Sequence, residues 1–302
     1  MMKKIICLFC CVITSSIVSA QDDLLNMLNN ESPQKPAPVY ATFKSTRVVN
    51  LQCNETMKAK HLDFRIQHRF SAMNINKDNN YGLYDVFGLD GAVIRLGLEY
   101  GITDKLMIGI GRSTIGKTYD GFVKYQLLQQ KTKGMPMSVV LFANIGISTQ
   151  EFADKSRQNF ESSRLSYVFQ TIITRKMNDY FSFILSPTMA HYNLVETKTT
   201  PNDIFALGIG TSIKISRSTR FNVEYIPRLN GRNQPKTGDK PTYYDAIAIG
   251  FDIETGGHVF QLHFTNGNGL IEQQFIARNP SEFNFTQLRF GFNISRTFSF
   301  DK

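Results

Sequence analysis

The octapeptide GRSTIGKT, residues 111–118, has the spacing of a phosphate-binding loop, G-x-x-x-x-G-K-[ST]. Such a loop works when a strand enters it and a helix leaves it, so that backbone N–H groups and the helix N-terminus converge on phosphate. The residues that follow run TYDGFVKYQLL. Tyr119, Val123, Tyr125 and Leu127 share one parity there, and Asp120, Lys124 and Gln126 share the other. Period two is the signature of a strand, so GRSTIGKT is expected to be a hairpin turn between two strands. AIAIGFD, ending at Asp252, imitates the acidic companion motif of nucleotide enzymes but sits in the same alternating context. Neither nucleotide chemistry nor a nucleic-acid partner is expected.

A second set of reactive side chains is spread along the chain. Asp63, Arg65, Arg69, Arg95, Glu99, Lys124, Lys214, Glu224, Arg228, Asp252 and Arg289 all fall on the parity opposite to large apolar residues, and seven are basic against four acidic. Two uses stay open. They pair into a salt-bridge network that fills a narrow lumen, or they line the path of a small anionic or zwitterionic solute. Arg65, Arg69 and Arg289 would share one patch of wall if the first and last segments are neighbours. The histidines offer less. His263-x-Thr265 has the spacing of a base and a nucleophile but lies on the polar parity, and His68, His191 and His258 lack a serine two residues on. No His/Asp/Glu cluster has metal-ligand spacing. The chain is expected to be no enzyme and to carry no metal and no cofactor.

The elements that must position these residues alternate throughout. Leu62, Phe64 and Ile66 alternate with Asp63, Arg65 and Gln67; Ile94, Leu96, Leu98 and Tyr100 with Arg95, Gly97 and Glu99; Leu106, Ile108 and Ile110 with Met107, Gly109 and Gly111. The pattern recurs at 119–127, 137–147, 165–173, 181–189, 205–213, 221–229, 247–253, 258–264 and 288–294. These are about twelve segments of the length a tilted membrane strand needs. A soluble β-sandwich also alternates, but the apolar set is more uniformly large than a solvated face tolerates. Phenylalanine and tyrosine recur near segment ends, as at Tyr100, Tyr119, Tyr180, Phe205 and Phe300, in a chain with no tryptophan. That placement suits interfacial girdles. Short gaps such as GITDK and SRST alternate with longer ones, the longest at 71–91 and 266–287. The fold class expected is all-β: a transmembrane antiparallel up-and-down β-barrel of about twelve strands. The 129–136 gap is long for a periplasmic turn and 113–117 short for an external loop.

The N-terminus divides in two. Lys3 and Lys4, an apolar core from Ile5 to Ile13 and Val18-Ser19-Ala20 form an export signal over residues 1–20. Cys7, Cys10 and Cys11 leave with it, so Cys53 remains alone, and the net charge of +9 drops by two lysines. Residues 21–60 form an extension, either periplasmic or folded inward. DDLLNMLNN suits one or two helical turns and ESPQKPAP a stiff linker. The barrel occupies 61–302.

TRVVNLQ, LDFRIQHRF, FGLDGAVIRLGLEYGITDKLMIGIGRS and KTYDGFVKYQLL resemble a family of outer-membrane β-barrels from Bacteroidetes-type bacteria. The likeness spans about 42–300 and is densest over 46–128. It implies the outer membrane of a Gram-negative bacterium, outer-membrane lipid as surroundings, and the barrel-assembly machinery as a partner. Such barrels often finish on an aromatic residue, whereas Phe300 is followed here by Asp301 and Lys302. Three readings of function follow: a narrow channel or binder for a small anionic solute, a structural barrel docking a periplasmic partner at 21–60, and a rim hydrolase. The last lacks the His-x-Ser pair that outer-membrane phospholipases carry.

Overall fold

The computed structural model describes residues 36–73, 88–89, 91–152, 155–156, 158–198, 200–231 and 243–300. The export signal, the helical turns expected in DDLLNMLNN and most of the ESPQKPAP linker lie outside the described residues. Twelve strands follow in order: β1 (His61–Phe70), β2 (Ala92–Thr103), β3 (Leu106–Ser113), β4 (Thr118–Leu128), β5 (Ser138–Ser148), β6 (Leu165–Lys176), β7 (Phe181–Tyr192), β8 (Asp203–Lys214), β9 (Thr219–Ile226), β10 (Ala246–Thr255), β11 (His258–Thr265) and β12 (Arg289–Ser299). Each pairs with its sequence neighbour, and β1 also pairs antiparallel with β12, His61 opposite Ser299 and Arg69 opposite Gly291. The sheet therefore closes without an edge, as hydrocarbon surroundings require of strands.

Alternation decides what faces where. Leu96, Leu98, Ile108, Ile110, Leu141, Ile145, Phe169 and Phe251 are exposed on the outer wall, while their neighbours Arg95, Glu99, Met107, Asn144 and Gln170 are buried inside. Tyr119, Tyr180, Phe181, Phe205 and Phe298 are exposed near strand ends. No helix among the described residues is long and apolar enough to cross a membrane. GRSTIGKT ends β3, turns through Ile115–Lys117 with Gly116 at φ 61° and Lys117 at φ 46°, and runs straight into β4. The helix that phosphate binding needs is replaced by a strand.

Three features depart from the expectations. First, the inward parity is not uniformly small or polar: Met107, Phe122, Val140, Phe142, Ile172, Ile184 and Ile226 point inward and are buried. Bare to a water-filled lumen, each would forfeit about 1.5–3 kcal/mol of burial. Second, the long loop between β11 and β12 is not simply external, because its stretch from Leu270 to Ala277 is buried. Its apolar residues Leu270, Ile271, Phe275, Ile276 and Ala277 carry it back into the barrel mouth. Third, the long β4–β5 connection has a task. Val39 N–H donates to Gln130 O at 2.8 Å, Thr132 N–H donates to Ala37 O at 2.9 Å, and Pro38 bridges Lys131. The connection is long because it grips the chain ahead of the barrel.

Candidate functional site

Residues 41–55 lie inside the barrel as a hairpin, rising from the end where the strands are joined by short turns. Val48 N–H donates to Leu51 O at 2.8 Å, Cys53 N–H donates to Thr46 O at 3.1 Å, and Arg47 bridges Gln52. Two-residue hairpin turns prefer positive φ at their central positions. Neither Val49 nor Asn50 has it. The turn is held from outside instead. The Glu224 carboxylate on β9 accepts N–H bonds from Val49 (3.1 Å), Asn50 (2.9 Å) and Leu51 (3.0 Å), together with Asn50 Nδ2 at 2.7 Å. Successive N–H groups converging on one carboxylate make an anion nest, with the anion supplied by the wall.

Below the tip the charged side chains interlock. Arg47 pairs with Glu99, whose other oxygen accepts from Thr46 Oγ1 at 2.9 Å. Arg65 donates to Asp63 at 3.0 Å, Thr46 Oγ1 at 2.9 Å and Ser45 Oγ at 3.0 Å. Lys124 Nζ donates to Thr46 O at 3.0 Å and lies 3.3 Å from Gln52 Oε1. Arg69 donates to Asn50 Oδ1 at 2.6 Å and Asn293 Oδ1 at 3.1 Å. Gln261 Nε2 reaches both Val48 O and Asp252 Oδ1 at 2.9 Å. Arg95 forms a two-point pair with Asp120, at 2.8 and 2.6 Å. Each charge has a fixed partner, which is the condition under which ions tolerate burial.

Of the eleven candidates, Asp63, Arg65, Arg69, Arg95, Glu99, Lys124, Glu224 and Asp252 belong to this network or its rim. Lys214 is half-buried at the turn end of β8, apart from it. Arg228 lies buried just past β9, 5.4 Å from the Tyr243 ring centre. Arg289 binds Asn266 O at 3.0 Å and Ser281 Oγ at 2.8 Å in the β11–β12 loop. Strands β1 and β12 are neighbours, yet Arg65, Arg69 and Arg289 take separate partners along the wall instead of forming one patch. Arg220, which donates to Thr42 O at 3.1 Å, and Arg47 and Glu55, which lie in the hairpin segment itself, are site residues outside the eleven candidates. The signal for them was the combination of TRVVNLQC with large apolar residues on the inward parity: both need an apolar partner inside.

Phe43, Val48, Leu51 and Cys53 supply that partner, packing with Phe122, Phe142, Ile172, Ile184 and Ile226 of the wall and with Phe275 and Ile276 of the β11–β12 loop. Hairpin and loop meet where Gln52 Nε2 donates to Glu272 Oε1 at 2.9 Å. Burial pushes the Cys53 thiol up to about 12 and raises the carboxyls of Glu55 and Glu272 above the usual carboxylate range. Cys53 is thus a protonated, shielded thiol, its Sγ 3.0 Å from Ser45 O. Above the loop is a cavity of about 460 Å³, bordered by Gln150, Phe152, Arg164, Tyr192, Gln273 and Arg278. His263 is buried against Gly250 and Gly291, and Thr265 Oγ1 is spent on Ile247 O at 2.7 Å. No group of three or more potential metal ligands occurs among the described residues.

Comparison with known proteins follows the architecture. The COG4313 outer membrane channel from Pseudomonas putida F1 superposes with a TM-score of 0.50 at 13% identity, covering 81% of this chain and 98% of that one. CdiB from Acinetobacter baumannii gives 0.41 at 9%, covering 80% and 60%, and Salmonella typhi OmpF in complex with daunomycin gives 0.38 at 8%, covering 79% and 97%. At these identities the likeness is one of fold. No curated protein matches the chain. The family model described as a membrane bound beta barrel domain (DUF5777) matches residues 43–298, hairpin and barrel together, and the chain belongs to that family.

Proposed function

We propose that the protein is a narrow channel for a small solute in the outer membrane of a Gram-negative bacterium, held closed by its own N-terminal hairpin. The observation that carries this reading is the bonding of the hairpin tip to Glu224. A segment meant only to fill a barrel needs apolar packing. A hairpin whose turn is not self-supporting, and whose tip N–H groups converge on one carboxylate, is a closure that a single local change can loosen. Loop lengths favour a periplasmic short-turn end, where residues 37–40 and 56–60, flanking the buried hairpin, would meet a periplasmic partner. In the emptied barrel the bare wall would present Arg65, Arg69, Arg95, Lys124, Arg220 and Arg228 against Asp63, Glu99, Asp120, Glu224 and Asp252, a lining that leans toward anions. The alternative, a structural barrel that docks a partner without transport, is favoured by the filled lumen. Planar-bilayer conductance of the chain from Gln21 onward, beside one lacking residues 36–57, tests the choice. Rare openings in the first and steady, anion-preferring current in the second are expected. A folded but silent deletion variant would establish the structural reading.

A further inference from the structure

The inner wall carries a feature that the charged network does not use. On β6 and β7, Gln170 Oε1, Ser186 Oγ, Thr174 Oγ1 and Ser182 Oγ are buried without a hydrogen-bond partner. Their register is regular. Gln170 is level with Thr188, Thr174 with Ile184 and Ser182 with Lys176, and Ser186 falls on the level between the first two pairs. Four successive inward levels thus each hold one unsatisfied polar atom, over about 20 Å of strand. Buried polar groups in folded proteins are as a rule paired, and an orphan costs about 1–3 kcal/mol; the other orphans of this barrel, such as Asn222 Oδ1 and the His263 ring nitrogens, are scattered and not in register. Four in register on one strand pair amount to a ladder of unpartnered hydrogen-bonding groups. At the loop end Gln273 Oε1, on the floor of the 460 Å³ cavity, is a fifth.

The same side of the barrel is neutral. Between the strand ends the inward residues of β5 to β8 are uncharged, among them Val140, Phe142, Asn144, Ile172, Ile184 and Gln170; charge borders them at Lys176, level with Ser182 at the turn end, and at Glu272, which accepts from Asn144 Nδ2 at 3.3 Å at the loop end. The hairpin meets this side through apolar side chains, with Phe43, Val48, Leu51 and Cys53 in one buried cluster with Phe142, Ile172 and Ile184. A Cβ added at Gly208 on β8 would lie 2.7 Å from Leu51 Cδ2 and 3.2 Å from Ser186 Cβ, so Leu51 is seated against the backbone beside the ladder.

We infer that solute crosses along β6–β7, between the hairpin and the neutral wall, with Leu51 as the constriction, and that the solute is a small neutral molecule rich in hydroxyl groups. This rests on the channel reading above and names its substrate class. Hydroxyls and amide oxygens in line replace the hydration of a polyol step by step, whereas an ion entering an uncharged lining gives up its water for nothing. The hairpin stays tied to the charged side during passage, so anion preference belongs only to the barrel emptied of its hairpin.

Liposome swelling tests this in the full chain from Gln21 onward, with arabinose as the neutral probe and sodium gluconate as the charged one. Leu51→Ala is expected to raise the arabinose rate several-fold and leave the gluconate rate nearly unchanged. In a Cys53→Ala, Leu51→Ala background, Ser186→Cys should swell normally until a small methanethiosulfonate reagent attaches to it, and then lose most of its arabinose flux. Equal gains for both probes, or full flux after complete modification, would overturn the inference. A barrel lacking residues 36–57 that passes neither probe would instead overturn the channel reading.

Discussion

The two sides of the lumen solve the same packing problem with different chemistry. The side formed by β1–β4 and β9–β12 holds the hairpin by directed bonds: Glu224 on three N–H groups, Arg65 and Lys124 on Thr46, Arg69 on Asn50. The β5–β8 side meets it through apolar packing, with Leu51 seated against Gly208 and Phe142, Ile172 and Ile184 in the same buried cluster, and leaves hydroxyls unsatisfied. Directed bonds fix a position, since a small displacement breaks them. Apolar contact with a smooth neutral surface tolerates sliding. On the channel reading proposed above, a hairpin tied on one side and untied on the other is hinged, and the untied side is where it would open.

The largest effect is expected from the tied side. Glu224→Leu removes the acceptor from the N–H groups of Val49, Asn50 and Leu51 while keeping a side chain of similar size. With each stranded donor costing about 1–3 kcal/mol, docking should weaken enough to speed maleimide labelling of Cys53 on the order of a hundredfold. Glu224→Gln, which keeps one acceptor oxygen, should show a smaller rise. Labelling unchanged in both would mean that packing alone holds the hairpin.

Leu51→Ala, on the untied side, should cost about 2 kcal/mol of docking, the low end for a buried leucine, because the tied side still holds the tip. Cys53 labelling should rise on the order of thirtyfold. A loss as large as that of Glu224→Leu would erase the difference between the two sides.

Acidity gives a several-fold effect of defined sign. Burial raises the carboxyls of Glu55 and Glu272, so the docked hairpin binds their protons more tightly than the released one does. Docking is therefore fully favoured below the ordinary carboxylate range and weakens as the pH climbs through the raised values. Channel openings should be rarer at pH 5 than at pH 8. More openings at pH 5 would mean that carboxylates of the tied side dominate.

The smallest effect is expected from Ser186→Ala. Deleting a hydroxyl that has no partner should cost nothing in thermal stability or Cys53 protection and can only raise them, because its desolvation penalty goes with it. A loss above 1 kcal/mol would show that this hydroxyl is bonded after all.

Legibility followed the same divide. Period two over 61–70, 92–103 and their successors exposes the strands, because burial inside and contact with lipid outside impose opposite residue types on alternate positions. Closure and strand number follow from the absence of any helical stretch between them. The turn at GRSTIGKT was readable for the same reason, since β4 is written into TYDGFVKYQLL. What fills the lumen was not readable in that way. The segment 41–55 has mixed character, and strand parity tells which face a residue takes but not what covers it. Phe142 and Ile184 on the inward parity were the visible sign that something apolar must. The charged candidates were identifiable singly, but their partners Thr46, Asn50 and Arg47 come from a segment outside the strand pattern. Pairings between residues 175 positions apart, as between Val49 and Glu224, leave no mark in local sequence.

The account depends on the hairpin being the closure, and Cys53 reports that directly. In a chain from Gln21 onward it is the sole cysteine, buried with a thiol held near 12. Adding a small maleimide on the short-turn side while recording single-channel current ties chemistry to state. The account predicts reaction only during open intervals, each reacted channel then staying open because the modified side chain no longer fits among Phe43, Val48 and Leu51. Reaction at an equal rate in closed intervals, or sustained ion current with Cys53 unreacted, would contradict it.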